Sequence, residues 1–312
     1  MHGDGGSRRP ADLWLFLLVS FGLSWLFVLP VWLADLPIGS PVFSLLALAM
    51  MFTPTFGVLA VWLTGRRRGE PGATWREWAR STGLTLGERR GRTVALVAVA
   101  WLGTPLLVIA AIALSVAVGV LSVDLRGLSL FRQSLQAVSA GQEIPADPWV
   151  LVAAQVASAF LIAPLINTIA ALGEEWGWRG WLLPRLAPLG TWRALLVSGL
   201  IWGLWHFPIT LRGYNYPELG AWAAPAFAVF CVAFGALLGW FRLRSGSVWP
   251  AAVGHGALNG SAALVLLVGD AAEPPSLVVA GITGMVGCAL VAAVSAALFR
   301  LKPVGRPVPE AV

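Results

Sequence analysis

Charged side chains are scarce in this chain. Asp, Glu, Lys and Arg make up 12% of its 312 residues, whereas 58% are hydrophobic. An ordinary soluble domain carries about 25% charged residues, so the composition excludes that class of protein. Cysteine is almost absent as well. Two cysteines are too few for a disulfide framework. Cys231 and Cys288 both fall within apolar runs, where cysteine behaves as a small apolar side chain.

The motifs of two large hydrolase classes are also missing. The chain contains neither G-x-S-x-G nor H-E-x-x-H, so a serine hydrolase and a zincin both lack sequence support. No internal repeat of the kind found in many transporters is visible. This absence argues against a transporter without excluding one.

Long apolar runs fill most of the chain. A transmembrane helix needs about 20 mostly apolar residues, and each run is predicted to be a helix because lipid offers the backbone no hydrogen bonds. The expected fold class is therefore an all-α polytopic membrane bundle of about eight helices. The runs cover residues 13–34, 41–64, 93–121, 149–173, 194–211, 221–241, 248–268 and 277–299.

Arginine is distributed unevenly between these runs. With both termini on one side, all but three of the 21 Lys and Arg residues fall on that side, the exceptions being Arg126, Arg132 and Arg212. Cytoplasmic loops are enriched in this way. We therefore predict a multi-pass protein of the plasma (inner) membrane with both termini cytoplasmic. Its pI of about 10.6 is then explained by arginines that face anionic lipid, with no need for nucleic acid.

Strongly polar residues inside the runs are confined to the second part of the chain. Residues 1–148 are predicted to be an N-terminal membrane region with three spans and a basic cytoplasmic loop. Residues 149–312 are predicted to hold the motif-bearing core, at about 150–266, and the last span.

Two adjacent carboxylates, Glu174 and Glu175, continue the fourth apolar run. An ionisable side chain at bilayer depth costs roughly 2.5 to 3.5 kcal/mol, so such residues usually mark a functional site. Neighbouring positions on a helix point about 100° apart. Glu175 and Arg179 are spaced i, i+4 with the acid first, which favours an ion pair and leaves Glu174 to face the bundle interior.

Two histidines and an asparagine lie at comparable depth in later runs. His206 is roughly 18 Å from the start of its run and His255 about 10 Å from the start of its own, at 1.5 Å per residue. His255 and Asn259 are spaced i, i+4 and therefore share one helix face. Each residue alone could be structural, but their joint occurrence on three helices with Glu174 indicates one site.

This set of side chains can hydrolyse an amide without a covalent intermediate. A carboxylate shielded from water holds a proton more tightly than one in solution, so Glu174 could take a proton from water near neutral pH. His206 would hold or orient that water. His255 and Asn259 could donate hydrogen bonds to the oxyanion that forms at the attacked carbonyl.

Three motifs in order resemble the CPBP family of intramembrane proteases, which is also called the CAAX-protease and bacteriocin-processing or Abi family. They are EEWGWRGWLLPRL from Glu174, WGLWHFP around His206, and SVWPAAVGHGALN up to Asn259. The resemblance implies a glutamate-dependent endopeptidase that acts on a membrane-embedded or lipidated peptide or protein. Its implied catalytic residues are Glu174, His206, His255 and Asn259.

The second motif departs from the family pattern at one position. The family usually has F-x-x-x-H, whereas Trp202 stands four residues before His206 here. We count Trp202 as a supporting residue, with Glu175 and Arg179, and expect its larger ring to keep an aromatic wall and to narrow the pocket.

Two alternatives remain open. Glu174, His206 and His255 could form a His2-Glu zinc site with one open position, which would make the chain a zinc-dependent intramembrane metalloprotease. The chain could also be a non-catalytic bacteriocin-immunity or transport protein, because buried Glu and His suit proton relays. On the glutamate mechanism no cofactor is expected.

Overall fold

A computed structural model describes residues 9–70, 72, 74–139 and 144–304, and these residues form a bundle of α-helices. Within those ranges, the one β-bridge joins Val123 to Gly269. The termini that the arginine distribution places in the cytoplasm lie largely outside the described residues. The helices are α1 Pro10–Leu33, α2 Pro41–Met51, α3 Thr53–Arg67, α4 Trp75–Ser81, α5 Arg90–Ala117, α6 Ser129–Val138, α7 Pro148–Leu161, α8 Ala163–Glu175, α9 Leu183–Leu186, α10 Thr191–Trp205, α11 Phe207–Thr210, α12 Ala223–Ser245, α13 Trp249–Ser261 and α14 Met285–Leu301.

The all-α polytopic fold is confirmed, but the count of eight spans is not. Among the described residues, five segments are long and apolar enough to cross a bilayer, and a sixth is formed if α7 and the helices after it count as one bent span. The fifth predicted span, 194–211, is interrupted at His206, where α10 ends after 15 residues. In the eighth, 277–299, the helix begins only at Met285, and that helix, α14, has 17 residues. The long segments are Pro10–Leu33, Pro41–Arg67, Arg90–Ala117, Pro217–Ser245 and Trp249–Leu267.

A proline explains the 48° bend between α7 and α8. Pro164 stands at the start of α8 and cannot donate a hydrogen bond to the carbonyl of Phe160, one turn earlier. That carbonyl accepts a hydrogen bond from the Trp101 indole instead, at 2.6 Å. Helix α5 therefore provides the hydrogen bond that the Phe160 carbonyl lacks within its own helix. The bend gives α8 a different direction from α7.

Small residues bring α13 and α8 into close contact. A Cβ on Gly256 would lie 2.5 Å from the backbone nitrogen of Thr168, and one on Gly260 would lie 2.5 Å from the Cβ of Ala163. Any larger side chain would push the two helices apart. This contact matters because α8 ends in the two glutamates and α13 carries His255.

The N-terminal region supports the same helices. The Thr55 hydroxyl donates to the carbonyl of Gly173 at 2.8 Å, and the Trp205 indole donates to the Thr53 hydroxyl at 3.1 Å. Helix α3 thus touches both α8 and α10 beside the candidate site. The division of the chain at residues 148 and 149 stays a prediction.

Candidate active site

The predicted site residues come from three helices. Glu174 and Glu175 end α8, His206 caps the C-terminus of α10, and His255 lies within α13. Their exposed fractions are 2%, 0%, 8% and 4%. All four are buried, as the sequence argument expects, and a buried polar side chain needs a hydrogen-bond partner.

The helix after the glutamates has an unusual form. The chain stays helical after Glu175, but Trp176–Leu182 is a π-helix before α9 begins. A π-helix is rare and is frequent at functional sites. Arg179, which is 1% exposed, lies in this π-helix and contacts Glu175. No sequence pattern signalled this wider turn.

Glu174 is held by a tryptophan. The Trp202 indole donates a hydrogen bond to Oε2 of Glu174 at 2.7 Å, with both groups buried. A short bond to a carboxylate is among the stronger hydrogen bonds of proteins. It fixes one oxygen of Glu174 and leaves the other, Oε1, available to a ligand.

His206 is oriented by the same residue. Its Nδ1 lies 2.9 Å from the carbonyl oxygen of Trp202. A carbonyl can only accept, so Nδ1 must carry the proton, and in the neutral ring Nε2 then has a free lone pair. The thiol sulfur of Cys231 lies 3.9 Å from the same Nδ1 and closes that side of the ring.

Glu175 binds two partners through one oxygen. Its Oε1 accepts from the Arg179 guanidinium at 2.8 Å, and the Nδ1 of His255 lies 2.9 Å from the same atom. The i, i+4 ion pair that the sequence predicts is present. The bond to His255 was not predicted, since no sequence pattern links positions 80 residues apart. It aims the Nε2 of His255 away from Glu175.

Trp202 is in contact with Glu174, Arg179 and both histidines. Its ring centroid lies 5.5 Å from that of His206 and 5.3 Å from that of His255. The guanidinium carbon of Arg179 lies 4.1 Å from the ring centroid. Both imidazoles therefore lie against the indole whose N–H group reaches Glu174, and these side chains form one cluster.

Asn259 and Tyr214 are both exposed. Asn259, one turn beyond His255 on α13, is exposed. Tyr214 follows α11 and is 38% exposed. Its partial burial raises the pKa of the phenol, and the negative charge of Glu174 raises it further, so the two side chains are within electrostatic reach. The sequence analysis did not identify Tyr214.

The side chains do not converge as a metal site. Among the described residues, no three His, Cys, Asp or Glu side chains are grouped so that they could hold a metal ion. Both Nδ1 atoms are already engaged, by a carbonyl for His206 and by Glu175 for His255. These contacts leave the Nε2 atoms as the ring nitrogens that a metal ion could use. Whether zinc is required stays a prediction for experiment.

Comparison with known proteins identifies the region that holds the cluster. The family model described as Rce1-like, type II CAAX prenyl endopeptidase, matches residues 155–261. A protein named CAAX prenyl protease 2, from Methanococcus maripaludis, is 28% identical over 108 residues, which are 33% of this chain and 40% of the relative. The chain thus matches well under half the length of that relative. All four predicted catalytic residues fall within 155–261.

Proposed function

We propose that this chain, whose residues 155–261 match the Rce1-like CAAX protease family model, is an intramembrane endopeptidase. In the proposed reaction, water activated by Glu174 hydrolyses a peptide bond without a covalent intermediate. The observation that carries the proposal is the buried cluster in which one indole contacts Glu174 and two imidazoles. A carboxylate and two imidazoles at bilayer depth are costly to bury, and such residues usually mark a functional site.

The first step is attack by water on the carbonyl carbon. Oε1 of Glu174 accepts one proton of the water, and Nε2 of His206 accepts a hydrogen bond from the other. The water oxygen forms a bond to the carbonyl carbon, and the carbonyl π electrons move to its oxygen. The result is a tetrahedral intermediate with one negative charge and a protonated Glu174.

The oxyanion is stabilised from α13. The Nε2–H group of protonated His255 and the amide N–H of Asn259 donate to it. Glu175 supports this role because its carboxylate accepts from Nδ1 and orients the ring, which directs Nε2 away from Glu175. When the intermediate collapses, the C–N bond breaks and Glu174 returns its proton to the departing nitrogen. The products are a carboxylic acid and an amine, and Glu174 is ionised again. The acid then gives its proton to the amine or to water.

The proposed substrate is a membrane-embedded or lipidated peptide or protein. The similar protein is named a prenyl protease, and the catalytic cluster lies among apolar helices, where a lipid chain or a membrane segment can approach. The proposed location is the plasma (inner) membrane with cytoplasmic termini. Alkaline phosphatase fusions after Arg68 and after Ser139 test it, because only the second should be active.

Replacing Glu174 by glutamine tests the activity. We expect purified Glu174→Gln protein in liposomes to lose cleavage of a prenylated CAAX peptide by at least about a hundredfold, because the amide cannot accept the proton. The control is Glu218→Gln, which changes an exposed carboxylate bonded to Ser276 in the loops. Cleavage that survives Glu174→Gln would rule out this mechanism, and absence of cleavage by the unaltered protein would leave an immunity or transport role.

The zinc alternative has its own test. A metal-chelating agent should leave the cleavage rate unchanged, and metal analysis of active protein should find well under one zinc per chain. Loss of activity with the chelator and its recovery with added zinc would establish the metalloprotease instead.

A further inference from the structure

Trp202 differs in chemistry, and not only in size, from the phenylalanine usual at its position. An indole N–H is a hydrogen-bond donor and a phenyl ring has none. In this chain that donor is directed at Oε2 of Glu174, at 2.7 Å. The departure from the family pattern therefore adds a hydrogen bond to the proposed catalytic base.

The indole is fixed in place, so its N–H direction is fixed too. Trp202 is 2% exposed, with the Arg179 guanidinium over its face at 4.1 Å. The rings of His206, His255 and Phe234 surround its edges at centroid distances of 5.5, 5.3 and 6.4 Å. A donor that cannot rotate away holds the carboxylate of Glu174 in one orientation.

Burial alone does not explain the bond to Glu174. Trp178 and Trp181 are both fully buried, yet within the described part of the chain their indole nitrogens have no hydrogen-bond partner. The bundle thus accommodates these two tryptophans without supplying an acceptor. Trp202, by contrast, has an acceptor, and that acceptor is a carboxylate of the site.

We propose that Trp202 is a positioning residue that holds Oε2 of Glu174, so that Oε1 is presented to the water that His206 also binds. This inference rests on the proposed function. Because the backbone carbonyl of Trp202 also fixes Nδ1 of His206, one residue sets the mutual orientation of the base and the water-binding imidazole. A phenylalanine here would keep the carbonyl contact and lose the contact to Glu174.

The test compares Trp202→Phe with Trp178→Phe in liposomes. Both changes remove the same ring volume from a fully packed tryptophan, but only the first removes a donor that has an acceptor. We expect kcat of Trp202→Phe to fall about 10- to 100-fold, as expected for a lost hydrogen bond to a charged group. The KM should stay within about twofold, because the hydrogen bond that is lost orients Glu174 for the reaction step. Trp178→Phe should keep kcat within about threefold.

A second variant guards against loss of folding. Site-specific incorporation of 3-benzothienylalanine at position 202 keeps the bicyclic shape and replaces the N–H by sulfur. It should reproduce the fall in kcat while the midpoint of thermal unfolding stays close to that of the unaltered protein. Full kcat with this residue would overturn the inference, as would equal kcat losses in Trp202→Phe and Trp178→Phe.

Failure of this inference is distinguishable from failure of the proposed function. If Glu174→Gln is inactive while the benzothienyl variant is fully active, the glutamate mechanism stands and the positioning role of Trp202 is wrong. If Glu174→Gln still cleaves the peptide, the proposed function itself fails, and the role of Trp202 fails with it.

Discussion

Replacing Glu175 should affect stability through Arg179 and activity through His255, and the two effects can be measured separately. The carboxylate is fully buried and accepts from both through one oxygen, at 2.8 and 2.9 Å. In Glu175→Gln the buried guanidinium loses its counter-charge. Removing one member of a buried ion pair costs about 3–5 kcal/mol. We expect a fall of that size in the free energy of unfolding, since the remaining amide oxygen cannot neutralise Arg179.

Activity should fall for a different reason. In Glu175→Gln the side-chain amide oxygen can still accept from Nδ1 of His255, but it lacks the negative charge that the carboxylate places beside this ring. Loss of that charge–charge contact should lower kcat about 10- to 100-fold, from about 1.5–3 kcal/mol for a hydrogen bond to a charged group. Unfolding in detergent gives the stability, and cleavage of a prenylated peptide in liposomes gives kcat.

The double variant Glu175→Gln, Arg179→Met tells the two effects apart. Methionine removes the unpaired charge and still packs on the Trp202 ring, since a thioether contacts aromatic rings favourably. Stability should recover most of what the single variant loses, because uncharged replacements of buried ion pairs are often neutral. The kcat should stay low. If kcat recovers together with stability, Glu175 serves only to neutralise Arg179, and its role at His255 is refuted.

Two further predictions concern the exposed parts of the structure. Asn259→Ala should lower kcat about 100- to 1,000-fold with little change in stability, as expected for an exposed oxyanion donor; unchanged kcat in a peptide cleavage assay would contradict the role of this amide. Backbone hydrogen bonds from Gly127 and bonds from Ser129 lower the pKa of Asp124 below 3.8. The loop that it closes should keep full amide-exchange protection at neutral pH and lose it as the pH falls through that lowered pKa. Asp124→Asn should show no such transition, and an identical acid transition in this variant would assign it to another group.

The sequence predicted the fold class and the composition of the site for physical reasons that do not need tertiary information. Lipid forces each apolar run to satisfy its own backbone, so helices follow from hydropathy. Ionisable residues in such runs are costly, so Glu174, His206 and His255 stood out from their surroundings. The Glu175–Arg179 pair followed from helical spacing alone.

Element lengths were less predictable. The break after Trp205 and the late start of α14 at Met285 changed the count of long spans, because hydropathy does not reveal where the backbone leaves the helix. The bend at Pro164 could have been inferred from the proline. That the open carbonyl of Phe160 is bound by Trp101 could not, because that contact joins helices that are 59 residues apart in sequence.

What the sequence determined by itself was the chemical inventory: a membrane bundle, with one set of titratable side chains at similar depths. The hydrogen-bond partners of these side chains were decided by tertiary structure alone. Trp202 points its N–H group at Glu174 and Glu175 reaches His255, because the close contact of α13 with α8 and the course of α10 bring these atoms together. Local periodicity fixes which face of a helix a side chain occupies, whereas hydrogen-bond partners depend on helix positions to within an ångström, and only the packed bundle sets those.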